Sequence, residues 1–469
     1  MKKLLALLLA LVMVLGLVAC SAKDADAPAE ETPETEAPAE EKVEAPAEDV
    51  EEETAADLTA DLTLWSYPLS DAQEDYFMNT VMPAFNEQYP NITLEVTTIP
   101  WDGGPEKVNV AIAAGTTPDL LLDSDMRISG YAAKGVLVPV TDVVTNTSAG
   151  VPDAYQHAVT MDGEDYMVSA FHTGGTAMLV NYALAEQYGI ADMLPEDHKS
   201  WTWDEFRAFC EAATDAGKSD GVYSIGMFAG SQSSDTNTMS WLMAAGTTIL
   251  NEDKTAVTLN TEDAGKILDN MAALVQDEVA LPGATTLIDD EVIELFLGGK
   301  TVICQYGDLW TVNQAYDRQQ TGEITGPMDA QFYLFPTLDG EAKTYLSYGA
   351  SGFSIFDNGD EDKIAAAKAF IEFMCSTNYV DEFVELCGKY SCKTDVELYT
   401  AKPEVSREVT RMTGFADHQM GNYGSSEAFW SEFRGTFYPE VQAVYSGAKD
   451  GITALNDFAA NADAVIAKY

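Results

Sequence analysis

The chain has 469 residues, with 77 acidic against 25 basic side chains, a formal charge of −52 and 46% apolar residues. A surface so acidic repels phosphate backbones and anionic headgroups, which argues against nucleic acid and peripheral lipid partners and says little about a neutral ligand. Six cysteines in this length are too sparse for a disulfide scaffold and fit no zinc spacing.

Met1-Lys2-Lys3 precedes an uncharged apolar run, Leu4–Ala19. A basic start, a short apolar stretch and a small-residue exit read as a secretory signal over residues 1–19. The run is short of the roughly 20 apolar residues that a stable bilayer span needs. It ends Leu17-Val18-Ala19-Cys20-Ser21, which resembles the lipobox of bacterial lipoproteins. That resemblance implies a diacylglycerol on the Cys20 sulfur and a mature chain that starts there. An ordinary cleaved signal with a chance cysteine is the alternative. Residues 20–60 then change character, with repeats such as Ala27-Pro28-Ala29-Glu30 and Ala37-Pro38-Ala39-Glu40. This segment cannot bury enough apolar surface to offset ordering, so it reads as a disordered, extended acidic tether. An acidic interaction tail is the other reading. With two leader lysines and a net −13 over residues 21–60, about −41 stays on the remainder.

About 410 residues exceed what one compact core usually holds, so two lobes are expected. Asp61–Tyr67 reads as a strand stopped by Pro68, and residues 71–88 as helical. Ile92–Val96 alternates as a strand, residues 104–114 are helical, and Leu120–Leu122 is an apolar strand after the turn at Pro118-Asp119. This order predicts a parallel sheet covered on both faces. Ala177–Asn181 is another strand, and Thr202 with Glu205 has the spacing of a capping box. Helical stretches follow near 237–246, 261–276 and 286–297, then the strand Thr301–Cys304. Residues 362–375 and the stretch from Ser425 to the C-terminus are helical.

Several segments now stand in a telling order: Leu64-Trp65, Pro83–Ile92, Lys107-Val108, Ala111–Leu120, Gly135–Val140, Asn181-Tyr182, Trp201–Phe206 and Gly349–Phe353. Together they resemble family 1 bacterial extracellular solute-binding proteins, the maltose-binding type, over nearly all of residues 61–469. The resemblance implies a two-lobed α/β, periplasmic-binding-protein-like fold with a central ligand cleft and a hinge. The first lobe is placed at 61–172 plus 303–390 and the second at 173–302 plus 391–469. It also implies a monomeric receptor that binds a solute outside the cell and delivers it to ABC transporter permease subunits. The membrane is then met through the lipid anchor only, with no nucleic acid partner and no cofactor.

A sugar offers hydroxyl rims and apolar C–H faces, so its site wants flat aromatic rings with carboxylates, amides and guanidinium groups beside them. Trp65 and Tyr67 end the first strand, although Trp65 could equally be core. Trp101 and Asp102 follow the second strand, and Asp123, Asp125 and Arg127 follow the third, where solvated or capping aspartates are the bland reading. Trp241, Asp308 with Trp310, and Trp430 lie in segments that resemble the family's ligand-lining loops, Trp430 in a helix where a core role is equally open. His172 sits at the first expected crossing between lobes, as a ligand donor or a histidine satisfied by backbone. Tryptophans at strand ends favour a neutral sugar, mono- or oligosaccharide, over a charged substrate.

Signs of catalysis are missing. Gly217-Lys218-Ser219 looks like a phosphate loop, but Ala212 stands where its first glycine belongs. Gly349-Ala350-Ser351-Gly352 lacks the spacing of a nucleophile elbow. The four histidines (His157, His172, His198, His418) form no metal pair, and Asp357–Asp362 lacks a calcium loop's closing glutamate, since Lys368 stands there. No catalytic residue, metal or cofactor is therefore expected. The alternatives are a secreted glycoside hydrolase, the same receptor role for a polyol, sugar acid or short peptide, or a purely structural surface lipoprotein. Cys210 and Cys304 read as buried thiols, and Cys375, Cys387 and Cys392 leave one disulfide open.

Overall fold

The computed structural model describes residues 58–469 except Asp102, Tyr348, Asn422 and Ser426. The signal sequence, Cys20, most of the tether and Asp102 lie outside the described residues. The strands are β1 (Thr59–Ser66), β2 (Asn91–Thr98), β3 (Leu120–Ser124), β4 (Thr160–Met161), β5 (Glu164–Asp165), β6 (Val168–His172) and β7 (Ala177–Asn181). They continue with β8 (Tyr223–Gly226), β9 (Thr301–Gly307), β10 (Ala330–Tyr333), β11 (Tyr345–Leu346), β12 (Ala350–Ile355), β13 (Tyr390–Ser391) and β14 (Gln419–Met420). A first sheet has the order β13-β6-β12-β3-β1-β2, and a second has β10-β7-β9-β8.

Local chemistry explains the elements around the first sheet. Ala60, Leu62 and Leu64 alternate inward along β1, while Leu120–Leu122 in β3 is buried on both faces, as a central strand requires. Helix Gly104–Ala114 opens with a proline in its first turn and stops at Gly115, whose φ of 65° no β-carbon hinders. In the second lobe, helix Trp203–Gly217 carries the expected capping box between Thr202 and Glu205. The acidic turn at 357–360 serves as a helix start: the Asp360 side chain accepts from the Lys363 amide and caps Glu361–Ser376. The expected helix over 71–88 is interrupted, since Phe77–Val81 forms a π turn between Gln73–Tyr76 and Met82–Phe85.

The chain crosses between the two lobes three times: between β6 and β7, between β11 and β12, and after β13. Buried apolar side chains divide the same way, 177–346 and 399–465 in one cluster, and 60–171 with 350–392 in two others. The expected boundaries need correction. Residues 303–346 belong with the second sheet, because β9 pairs with β7 and β8, and β10 pairs with β7. Residues 391–394 stay with the first, where Ser391 lies opposite Phe171 and the Thr394 amide donates to the Gly150 carbonyl. Cys210, Cys304, Cys375, Cys387 and Cys392 are all free and buried. Among the described residues, no helix is long and apolar enough to cross a membrane.

Candidate ligand-binding site

β1, β2 and β3 run parallel, and their C-terminal ends align: Ser66 lies opposite both Thr98 and Leu122. β2 and β3 flank β1 on opposite sides, so the loops leaving β1 and β3 diverge and open a crevice at the strand ends. Five of the expected site residues meet there. The Tyr67 ring stacks on Trp101 with centroids 4.5 Å apart and planes 15° from parallel. Gly104 permits this, since a β-carbon there would stand 2.9 Å from the Tyr67 ring. The Arg127 guanidinium lies 4.7 Å from the Tyr67 centroid and 5.7 Å from that of Trp101. Its Nε is 2.9 Å from both oxygens of Asp123, and Nη2 also donates to that carboxylate. Tyr67 is buried, whereas Trp101 is 46% exposed and offers its free face to solvent. Among the described residues, the buried hydroxyls of Tyr67 and Tyr131 have no hydrogen-bond partner. Burial, and then the Asp123 charge, push both phenols well above their usual range.

Asp125, the fifth, begins helix Asp125–Ala132 and accepts from the Met126 amide at 2.8 Å. Burial pushes its carboxyl up to about 7, against the lowering pull of the Met126 amide and Arg127. Its Oδ2 occupies the space a side chain on Gly349 would need, 1.8 Å from that β-carbon position, so the carboxylate packs on the second crossing. Beside it, His172 is sandwiched between Tyr155 and Tyr390, with centroids 4.9 and 5.1 Å away and both pairs near parallel. Tyr390 reaches His172 because the two are antiparallel partners across β13 and β6. The His172 Nδ1 is buried with no partner among the described residues, and burial pulls its pKa down to about 4, so the ring is neutral at pH 7. The second lobe touches this wall, where the Tyr423 hydroxyl is 3.8 Å from the Met126 sulfur.

The other expected residues are placed differently. Trp241 is core: it is 1% exposed, packs on Trp203, Phe206 and Phe335, and donates its indole N–H to the Gln305 carbonyl. Trp430 is also buried, against Tyr423 and Phe433, and its indole nitrogen has no partner among the described residues. Trp65 is half-buried beneath helix Gly104–Ala114, and Lys107 of that helix stands 4.4 Å above its ring. Trp310 is half-buried where the lobes meet, so close to Gly388 that a β-carbon there would be 2.7 Å from the Trp310 Cα. Asp308 has two structural tasks, capping helix Leu309–Gln320 through Thr311 and pairing with Lys389 at 2.8 Å. Sequence reasoning missed Tyr131, Tyr155, Tyr390, Lys389 and Tyr423, which lie in no motif. A tyrosine count of 21 was the one available signal for the four tyrosines, and nothing marked Lys389. Among the described residues, no cluster of three or more His, Cys, Asp or Glu could hold a metal ion.

A family model described as bacterial extracellular solute-binding protein matches residues 80–413. A relative from Brucella abortus (strain 2308), named only as a binding protein, is 23% identical over 398 residues, covering 84% of this chain and 90% of its own. An ABC transporter solute-binding protein from Thermotoga lettingae, bound with alpha-D-tagatose, superposes with a TM-score of 0.71. It is 20% identical and covers 87% of this chain and 100% of its own. An ABC substrate-binding protein from Listeria monocytogenes, in complex with cycloalternan, superposes with a TM-score of 0.69 at 18% identity, covering 87% and 99%. These likenesses establish the two-lobed fold.

Proposed function

This chain belongs to the bacterial extracellular solute-binding proteins and so works outside the cytoplasmic membrane, and from that premise we propose that its solute is a mono- or oligosaccharide handed to an ABC permease. The observation that carries the reading is the half-exposed Trp101 ring, stacked on Tyr67 and backed by the Arg127–Asp123 pair, at the strand ends. A flat aromatic face covers a sugar's C–H surface, and the polar groups beside it meet its hydroxyls. The tagatose and cycloalternan bound by two structural neighbours support the same class. The receptor acts as a monomer without catalysis. A retaining or inverting glycosidase needs two working carboxylates about 5–10 Å apart, and here Asp123 is committed to Arg127. Release of free sugar from a bound oligosaccharide would count against this.

A thermal-shift screen against mono- and oligosaccharides tests the ligand class. A sugar at a hundredfold excess over its dissociation constant should add about 2.7 kcal/mol of stability. Shifts with peptides or polyols alone would reject the sugar. Trp101→Ala should weaken the sugar that binds about tenfold, the value of one good aromatic platform, and change stability by less than about 1 kcal/mol.

The lipobox-like Leu17-Val18-Ala19-Cys20 supports a cleaved signal and a diacylglycerol anchor on Cys20, with the acidic segment as spacer. Cys20→Ser should move the protein from the membrane fraction into the medium. Retention at the membrane would refute the anchor.

A further inference from the structure

We infer that the cleft selects an amine-bearing, cationic sugar over its neutral and acidic counterparts, with the Asp125 carboxylate as the counter-charge. This rests on the sugar reading above and reverses the preference for neutral sugars drawn from the tryptophans alone.

The argument is one of charge. Arg127 is committed to Asp123 through Nε and Nη2. Lys389 is committed to Asp308, both side chains being about nine-tenths buried. His172, enclosed by two tyrosines, is neutral. Lys107 is exposed and lies over the Trp65 ring, 4.4 Å from its centroid. Each buried cation in this region therefore has its carboxylate already.

Asp125 is the carboxylate left over. It is 9% exposed, and among the described residues its one hydrogen-bond donor is the Met126 amide. The charged or titratable groups facing it are Asp123 and Arg127 on its own segment, Tyr155 from the short helix Asp153–Gln156, and Cys392 after β13. Gly349 packs against it from the crossing and brings no charge. The N-terminus of its helix helps a carboxylate, but one turn of backbone dipoles does not replace a counter-ion in a buried place.

A ligand entering here decides the cost of that charge. A neutral hydroxyl gives Asp125 one ordinary hydrogen bond. An ammonium gives a charge-assisted bond, about twice as strong, and cancels the charge. The Tyr155 ring and the Tyr67–Trp101 stack add aromatic faces, which also attract cations. A sugar acid or sugar phosphate would meet an unneutralised carboxylate and no unpaired buried cation in the described wall.

The test uses matched pairs on the exported protein: glucosamine with glucose, galactosamine with galactose, mannosamine with mannose, and the glucosamine disaccharide with cellobiose, plus glucuronate. Calorimetry at pH 7.5 should find the aminated member of the binding pair about tenfold tighter or more, and glucuronate the weakest. The aminated sugar's affinity should rise from pH 5 to 7.5 as Asp125 ionises, while the neutral partner's stays level. Asp125→Asn should bring the ratio within a pair to about one. If that variant does not fold, the pH profile of the unmodified protein still decides. Neutral members that bind as tightly as aminated ones, or a flat pH profile, would overturn the inference and leave the sugar reading standing. Binding by no member of any pair would overturn both.

Discussion

Replacing Lys389 by methionine is expected to remove about 3–5 kcal/mol of unfolding free energy, read from urea denaturation at neutral pH. The Lys389 ammonium is 2.8 Å from Asp308 Oδ2, with the two side chains 10% and 9% exposed. Methionine keeps the apolar stem and removes the charge, so Asp308 is left buried without a cation. Desolvation then acts unopposed, and that term makes a broken buried pair costlier than an absent one. Asp308 cannot easily turn away, because its other oxygen caps helix Leu309–Gln320 through the Thr311 amide and hydroxyl. The pair also joins the lobes: Lys389 precedes β13 of the first sheet, and Asp308 follows β9 of the second. Adding Asp308→Asn to the methionine variant should recover much of the loss, since asparagine still caps a helix and carries no charge. A change below about 1 kcal/mol in the single variant would mean that water reaches the pair and that Asp308 is free for a ligand after all.

The same residue shows what a sequence can and cannot convey. Asp308 and Trp310 stand after a strand in a loop that resembles a ligand loop, and that much was legible. What was not legible is which sheet the strand joins. β9 pairs with β7 and β8, more than a hundred and more than seventy residues away along the chain respectively, and no local pattern records such a choice. The error over residues 303–346 has this cause. Trp241 and Trp101 make a second contrast. As letters in a sequence the two tryptophans look alike, yet Trp241 lies on the face of its helix turned to the second core, and Trp101 on a loop beyond a strand. Strand ends are local features, so Tyr67, Trp101, Asp123, Asp125 and Arg127 could be found by position along the chain. The stack of Tyr155, His172 and Tyr390 joins residues up to 235 positions apart, and only the antiparallel pairing of β6 with β13 brings its last member into place.

Arg127→Leu should abolish ligand capture, with affinity lower by about a hundredfold or more, and should also cost about 3–5 kcal/mol of stability. The guanidinium does two things at once. It neutralises Asp123, whose side chain is fully buried, and it lies against the faces of Tyr67 and Trp101. Without it, the buried Asp123 carboxylate has no cation, and the aromatic platform loses its backing. Arg127→Lys should restore less than half of the stability, because a point charge gives neither the forked contact to Asp123 nor a planar group to stack. Stability and binding separate in the double variant Arg127→Leu with Asp123→Leu. Removing both partners of a buried pair is often neutral for folding, so the melting temperature should return towards that of the unmodified protein. Binding should not return, because the polar edge beside Trp101 is gone. A double variant that regains both would place the ligand elsewhere in the cleft and leave the Arg127–Asp123 pair a purely structural part of the first lobe.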